Sequence, residues 1–172
     1  MNFYKKLTKY FLLLLSSSVI IGCVGYSFNP TTPLNIESVA LSPIINKTSE
    51  PAIEHKVTDA IKSYIQLDGR LTLESVSEAD AVIEITLTKY KNNPIAYRTD
   101  TREISTQNYL QGVHASAVMI NTKTGEIIAE TINHGESIYN FEYDLASSKR
   151  NVFSSAADEL ARMIYTDLIE QW

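Results

Sequence analysis

The chain has 172 residues, one cysteine, three histidines and a formal net charge of −5. That acidic balance argues against nonspecific nucleic-acid binding, whose affinity comes from neutralising phosphates, and against lying on an anionic leaflet by charge alone. A single thiol excludes an internal disulfide and a cysteine metal cluster.

The N-terminus reads as an export signal. Lys5, Lys6 and Lys9 form a basic start, and Phe11 to Ile21 form an apolar segment interrupted only by Ser16, Ser17 and Ser18. Gly22 then stands before Cys23. A basic region, an apolar region and a small residue at the cut describe a secretory signal. The apolar segment, roughly 11 residues, is too short to cross a bilayer core, which takes about 20. Ile20-Ile21-Gly22-Cys23 resembles the lipobox of bacterial lipoproteins. That resemblance implies cleavage after Gly22 and an N-acyl diacylglycerol on Cys23, with no other cofactor. One acyl chain anchors only marginally, at about 0.8 kcal/mol per buried methylene, so several are needed for a stable hold. Val24 follows the cysteine where a retention aspartate is typical of the inner membrane, so the resemblance points to the outer membrane. Cleavage removes three lysines and no acidic residue, leaving the mature chain at −8.

Residues 23–35, with Pro30 and Pro33, read as a lipidated tether, and residues 36–172 as a single domain. The run Ile36–Leu41 predicts a first strand ended by Pro43, and Asn46–Ser49 a loop. A helix is expected to start near Ser49 with Pro51 in its first turn. Ile53, Val57, Ala60, Ile61 and Tyr64 form its apolar stripe, and Gly69 supplies the left-handed stop. His55 lies at the edge of that stripe. Leu71–Ser75 is a second short strand. From Ala81 to Lys89 the alternation is clear, with Ala81, Ile83, Ile85 and Leu87 on one face. Asn92-Asn93-Pro94 is expected to break it, leaving residues 94–106 as an extended loop or the outer part of a hairpin.

Tyr109–Ile120 and Glu126–Tyr139 are the next strands, joined at Thr122–Gly125 by a tight turn in which Gly125 takes positive φ. Val113, Ala115, Ala117 and Met119 alternate with His114, Ser116, Val118 and Ile120, and both faces are semi-apolar. After the aromatic crossing Tyr139–Asp144, a long helix runs from about Ser147 to Gln171, with Phe153, Ala156, Ala157, Leu160, Ile164 and Leu168 on one stripe. The order predicts an α+β fold, two helices on one face of a mixed sheet of about four strands.

No nucleophile elbow, metalloprotease helix, P-loop or dinucleotide fingerprint is present, so no catalytic residue is assigned. His114 and His134 should face each other across the hairpin, two imidazoles without the third ligand a catalytic zinc needs; no metal site is assigned. Lys89, Lys91, Arg98 and Arg102, interleaved with Tyr90 and Tyr97, make a basic tract opposed only by Asp100. Guanidinium forks match phosphate and carboxylate, so these four are the candidate contacts for an anionic ligand or partner. The plain alternative is a solvated hairpin end that protects a sheet edge.

Several segments together resemble the lipopolysaccharide-assembly lipoprotein family LptE. They are the lipobox at Cys23, Gly25-Tyr26-Ser27-Phe28, Asn46-Lys47-Thr48-Ser49 with Pro51, Asp68-Gly69-Arg70-Leu71, Ala79-Asp80-Ala81, Tyr90 and the long last helix. The resemblance implies a two-helix, four-strand domain, non-enzymatic, held in the inner leaflet of the outer membrane. It implies a plug and folding partner inside the β-barrel that inserts lipopolysaccharide, with lipopolysaccharide itself a possible ligand. The same element order also resembles adaptor lipoproteins of the Tol system, of peptidoglycan-synthase activation and of curli-type secretion. Replacing Cys23 by Ser is expected to leave the precursor uncut and unlipidated, and an unchanged outer-membrane fraction with the acyl mass intact would refute the anchor.

Overall fold

The structure, a computed structural model, describes residues 36–98, 105–140 and 145–170. The signal segment, Cys23 and the tether lie outside the described residues, as do Arg102 and most of the aromatic crossing. Among the described residues, six strands and two helices follow in the order β1 (Ser38–Leu41), β2 (Ile45–Asn46), α1 (Ile53–Asp68), β3 (Thr72–Leu73), β4 (Ala81–Arg98), β5 (Ser105–Asn121), β6 (Ile127–Asn140) and α2 (Leu145–Ile169). They form one mixed sheet in the order β3-β1-β4-β5-β6, with β2 also paired to β4. The α+β expectation holds, and the strand expected at Leu71–Ser75 is present as the two-residue β3; the sheet has six strands rather than about four, and the one not expected is β2, two residues paired in parallel to β4.

The β4–β5–β6 meander is antiparallel, while β1, β2 and β3 pair in parallel. β4 outlasts the expected break. Pro94 stays in register with Tyr109, and the missing N–H is accommodated where the pairing shifts between Pro94 and Ala96. The long hairpin therefore extends to Arg98 and Ser105. The turn at its other end behaves as expected, with Gly125 at φ 73.

α1 begins later than the sequence suggests. Asn46 is the reason. Its amide donates to the Glu50 carbonyl (2.9 Å) and to Glu54 Oε2 (2.8 Å), while its Oδ1 accepts from Thr48 N–H (2.9 Å). Ser49, Glu50 and Pro51 are thus spent closing this loop. The helix starts after Ala52, which sits at φ 62 and caps nothing with its side chain. Gly69 ends the helix at φ 71, as its sequence position implies.

Both helices cover one sheet face. The inward residues of β4 (Ala81, Ile83, Ile85 and Leu87) and of β5 (Val113, Ala115, Ala117 and Met119) are buried with the two helical stripes in one core. Register settles the ambiguity of β5, because Ala115 and Ala117 sit opposite Leu87 and Ile85, whose side is already committed inward. Small residues on β5 and β6 let α2 approach closely. A Cβ on Gly135 of β6 would collide with the Ala156 carbonyl and lie 2.6 Å from Leu160 N. These are backbone atoms of the helix, so nothing can swing aside.

Polar ties fix the helices in register. The buried Asn133 amide of β6 donates to Asp167 of α2 (2.7 Å), and the Thr131 hydroxyl stands 2.9 Å from the same carboxylate oxygen. At the far end Arg70 grips Asp68 with Nε and Nη2 (2.6 and 3.1 Å), and Tyr165 of α2 donates to Asp68 at 2.8 Å. The hydrogen bonds from the Arg70 guanidinium hold the Asp68 carboxyl below its ordinary range. Truncating Leu160 to Ala should cost about 2–5 kcal/mol. Gly135→Ala should cost at the upper end of the roughly 1–3 kcal/mol typical of overpacking, or more. Chemical denaturation of both variants checks the pair; a neutral Gly135→Ala would mean that α2 does not cross β6 here.

Candidate functional site

The second sheet face is left open by the helices. A bulge decides what it carries. The β4–β5 register shifts between Leu87 and Lys89, so the alternation that buries Leu87 changes parity at Thr88. Tyr90 then turns inward, its ring 6.2 Å from that of Phe153. Lys89 and Lys91 turn to the open face, opposite His114 and Gly112.

His114 and His134 are directly paired, and their rings stack at 5.4 Å. Glu136 lies on the same face and folds over Gly112, where an added Cβ would meet its Oε1 at 3.5 Å. The patch therefore holds Lys89, Lys91, two imidazoles and one carboxylate. Desolvation lowers the His114 pKa, and Lys91, His134 and Lys89 lower it further against Glu136. The ring is thus held neutral at neutral pH, and its Nε2 is buried without a partner. Among the described residues no group of three metal-ligating side chains forms.

Of the other two candidate cations, Arg98 is not beside this patch. Arg98 ends β4, opposite Ser105; nine residues beyond Lys89, that is about 30 Å at roughly 3.3 Å per residue. Arg102 lies outside the described residues, as does Cys23. The described part of the tract, Lys89, Lys91 and Arg98, is therefore spread along one long strand rather than gathered at a point. Sequence reasoning paired the two histidines correctly but missed their lysine neighbours, because a bulge leaves no periodic signature.

Further along the open face β6 presents apolar side chains. Ile132 is 82% exposed and Ile138 59%. A shallow depression beside Ile132 is bordered by Ser116, Val118 and Glu130. β6 is also a terminal strand of the sheet path. Long exposed edges of this kind invite pairing with another chain.

The lipopolysaccharide-assembly family LptE matches residues 36–171, which is the whole described unit. The chain belongs to the LptE family. A search of curated proteins finds no match. Solved structures share the fold at low identity. Protein XCC0632 from Xanthomonas campestris, of family DUF330, superposes with a TM-score of 0.58 at 9% identity, over 83% of this chain and 91% of that one. A putative neuraminyllactose-binding hemagglutinin homolog from Helicobacter pylori gives 0.51 at 13%, over 86% and 94%. A putative lipoprotein from Caulobacter crescentus gives 0.50 at 14%, over 73% and 87%. Family membership makes this LptE-family chain a cell-envelope protein of lipopolysaccharide assembly.

The lowered His114 pKa has a consequence for stability. The unfolded chain binds a proton at His114 more readily than the folded one, so folding stability is full above the ordinary value of 6.5 and declines as pH falls below it. His114→Gln is expected to flatten the fall in melting temperature between about pH 7 and pH 5. A profile unchanged from that of the wild type would show that His114 titrates freely.

Proposed function

We propose that the protein is an outer-membrane lipoprotein, anchored in the inner leaflet through acyl chains on Cys23, that plugs and helps fold the β-barrel which inserts lipopolysaccharide. The observation that carries this reading is the family match across residues 36–171, the full two-layer unit. The surface is compatible with it. A barrel lumen is polar, and the open face offers Lys89, Lys91, His134, Glu130 and Glu136 with isolated anchors at Ile132 and Ile138. A plug needs contacts of both kinds, and it needs a rigid frame behind them, which the two helices provide.

The role is structural rather than catalytic: the chain shows none of the standard nucleophile motifs. Lipopolysaccharide contact, in this reading, runs through Lys89, Lys91, Arg98 and Arg102, because the mature charge of −8 makes attraction by overall charge impossible. Phosphate groups would meet the ammonium groups of the two lysines and the guanidinium forks of the two arginines.

Affinity purification of the lipidated chain in detergent is expected to recover a large β-barrel. Ile132→Lys with Ile138→Lys should reduce that recovery. Arg98→Glu with Arg102→Glu should weaken lipopolysaccharide binding, both pairs leaving the melting temperature unchanged. Recovery of a peptidoglycan synthase, or of a ring of this chain alone, would replace the plug by an adaptor.

A further inference from the structure

We propose that His114 and His134, facing each other across β5 and β6, chelate a late transition-metal dication of the Cu(II), Ni(II) or Zn(II) class. This goes beyond the plug reading and does not depend on it.

The first observation is the kind of pair the two residues form. Glu136 of β6 donates its backbone N–H to Glu159 Oε2 of α2 at 2.7 Å, so that N–H points away from β5. Strand groups repeat every second residue, and the register is unbroken from Glu136 to His134. The His134 N–H therefore also points away from β5, and His114–His134 is a non-hydrogen-bonded antiparallel pair. Such pairs bring side chains closest, with Cα atoms about 4.5 Å apart. The ladder holds both backbones, so only side-chain torsions are left to order on binding.

The second is ring spacing. The ring centres are 5.4 Å apart and the planes 22° from parallel. Metal–nitrogen bonds of about 2.0–2.1 Å put the centres of two adjacent imidazole ligands roughly 4.5–5.2 Å apart. His134 is exposed, so its ring is free to turn through the small difference.

The third is that the nitrogens are available. No hydrogen bond among the described residues engages either ring. Of the two His114 nitrogens only Nε2 is buried, which leaves Nδ1 open to solvent as a ligand.

The surrounding charges set the affinity and not the ligand set. Lys89 and Lys91 of β4 share this face and oppose a cation, while Glu136 favours one. A lysine ammonium has no lone pair to offer a metal. Exposed charges are also screened over about 8 Å at physiological ionic strength, whereas a metal–nitrogen bond acts at contact. Glu136 acts through its field, since no third ligating group joins the pair; water fills the remaining positions. Imidazole suits Cu, Ni and Zn, whereas Ca and Mg take oxygen ligands, and Cu(II) binds tightest of the series.

The test uses the full mature lipoprotein in a non-ionic detergent at about pH 7.5, where imidazole is neutral. The probe is Cu(II)–iminodiacetate, whose open positions take two neighbouring donors. Calorimetry should show one saturable site, and electron paramagnetic resonance two protein nitrogens on the copper. His134→Gln, at an exposed position, should weaken binding about tenfold or more, because the second imidazole is presented at an effective concentration in the millimolar range. His114→Gln should do the same. Lys91→Met should tighten binding several-fold and Glu136→Gln weaken it, while His55→Gln on α1 leaves it unchanged. The chelate should raise the melting temperature of the wild type and of neither pair variant. Wild-type affinity in His134→Gln, a signal from one protein nitrogen, or no saturation overturns the proposal and leaves a stacked surface pair.

Discussion

The close crossing of α2 over β6 is the constraint on which the rest of the structure depends. At Gly135 the helix backbone comes so near the strand that there is no room for a side chain. Around this point the residues are small, Ala115 and Ala117 on β5 and Ala156, Ala157 and Ala161 on α2, all buried. Small residues at a crossing trade side-chain volume for proximity, and proximity brings many weak dispersion contacts. The large aliphatics Ile83, Ile85, Leu87, Ile61, Ile65 and Ile164 fill the remaining space. With the helix seated there, α1 takes the adjoining strip, and among the described residues both helices lie on one face of the sheet.

Polar groups then convert a close-packed sandwich into one with fixed register. Asp167 reaches Asn133 and Thr131 on β6, and Asp68 joins Arg70 to Tyr165. Asp80 exchanges hydrogen bonds with Ser38, where the hydroxyl donates to the carboxylate (3.1 Å) and accepts from the Asp80 N–H (3.0 Å), and Lys123 reaches the same carboxylate across the β5–β6 turn. These ties contribute little energy each, since pairs near the surface are worth about 0–1 kcal/mol. Their effect is geometric. They hold loop ends and helix ends in one arrangement.

That open face owes its chemistry to an irregularity. Without the bulge at Thr88, continued alternation would send Lys89 and Lys91 toward the core side and Tyr90 outward. The bulge puts two lysines beside a stacked histidine pair and sends Tyr90 under α2 to meet Phe153 and Gln111. One extra residue in one strand thus decides both the surface patch and the inward turn of Tyr90.

Much of this could be read from the amino-acid order alone. Local rules sufficed for the two helical stripes, the Gly69 stop, the Gly125 turn and the inward face of β4, because periodicity and turn chemistry are written in neighbouring residues. The resemblance to LptE rested on segments such as Asn46–Ser49, Asp68–Leu71 and Ala79–Ala81, and these turn out to be the ones that close loops and tie ends together. The histidine pairing also followed from counting back from a turn. What only the tertiary structure decided are matters of register and approach. The inward face of β5 depends on which residues of β4 lie opposite. The late start of α1 depends on Asn46 bonding four and eight residues ahead. The β2 pairing, two residues long, is too short to announce itself. Gly135 looks like any strand glycine until a helix crosses it, and Gln111 like any polar strand residue until burial strips one end of its amide of a partner. Each of these is set by atoms far away in sequence, and a pattern of neighbours carries no record of distance in space.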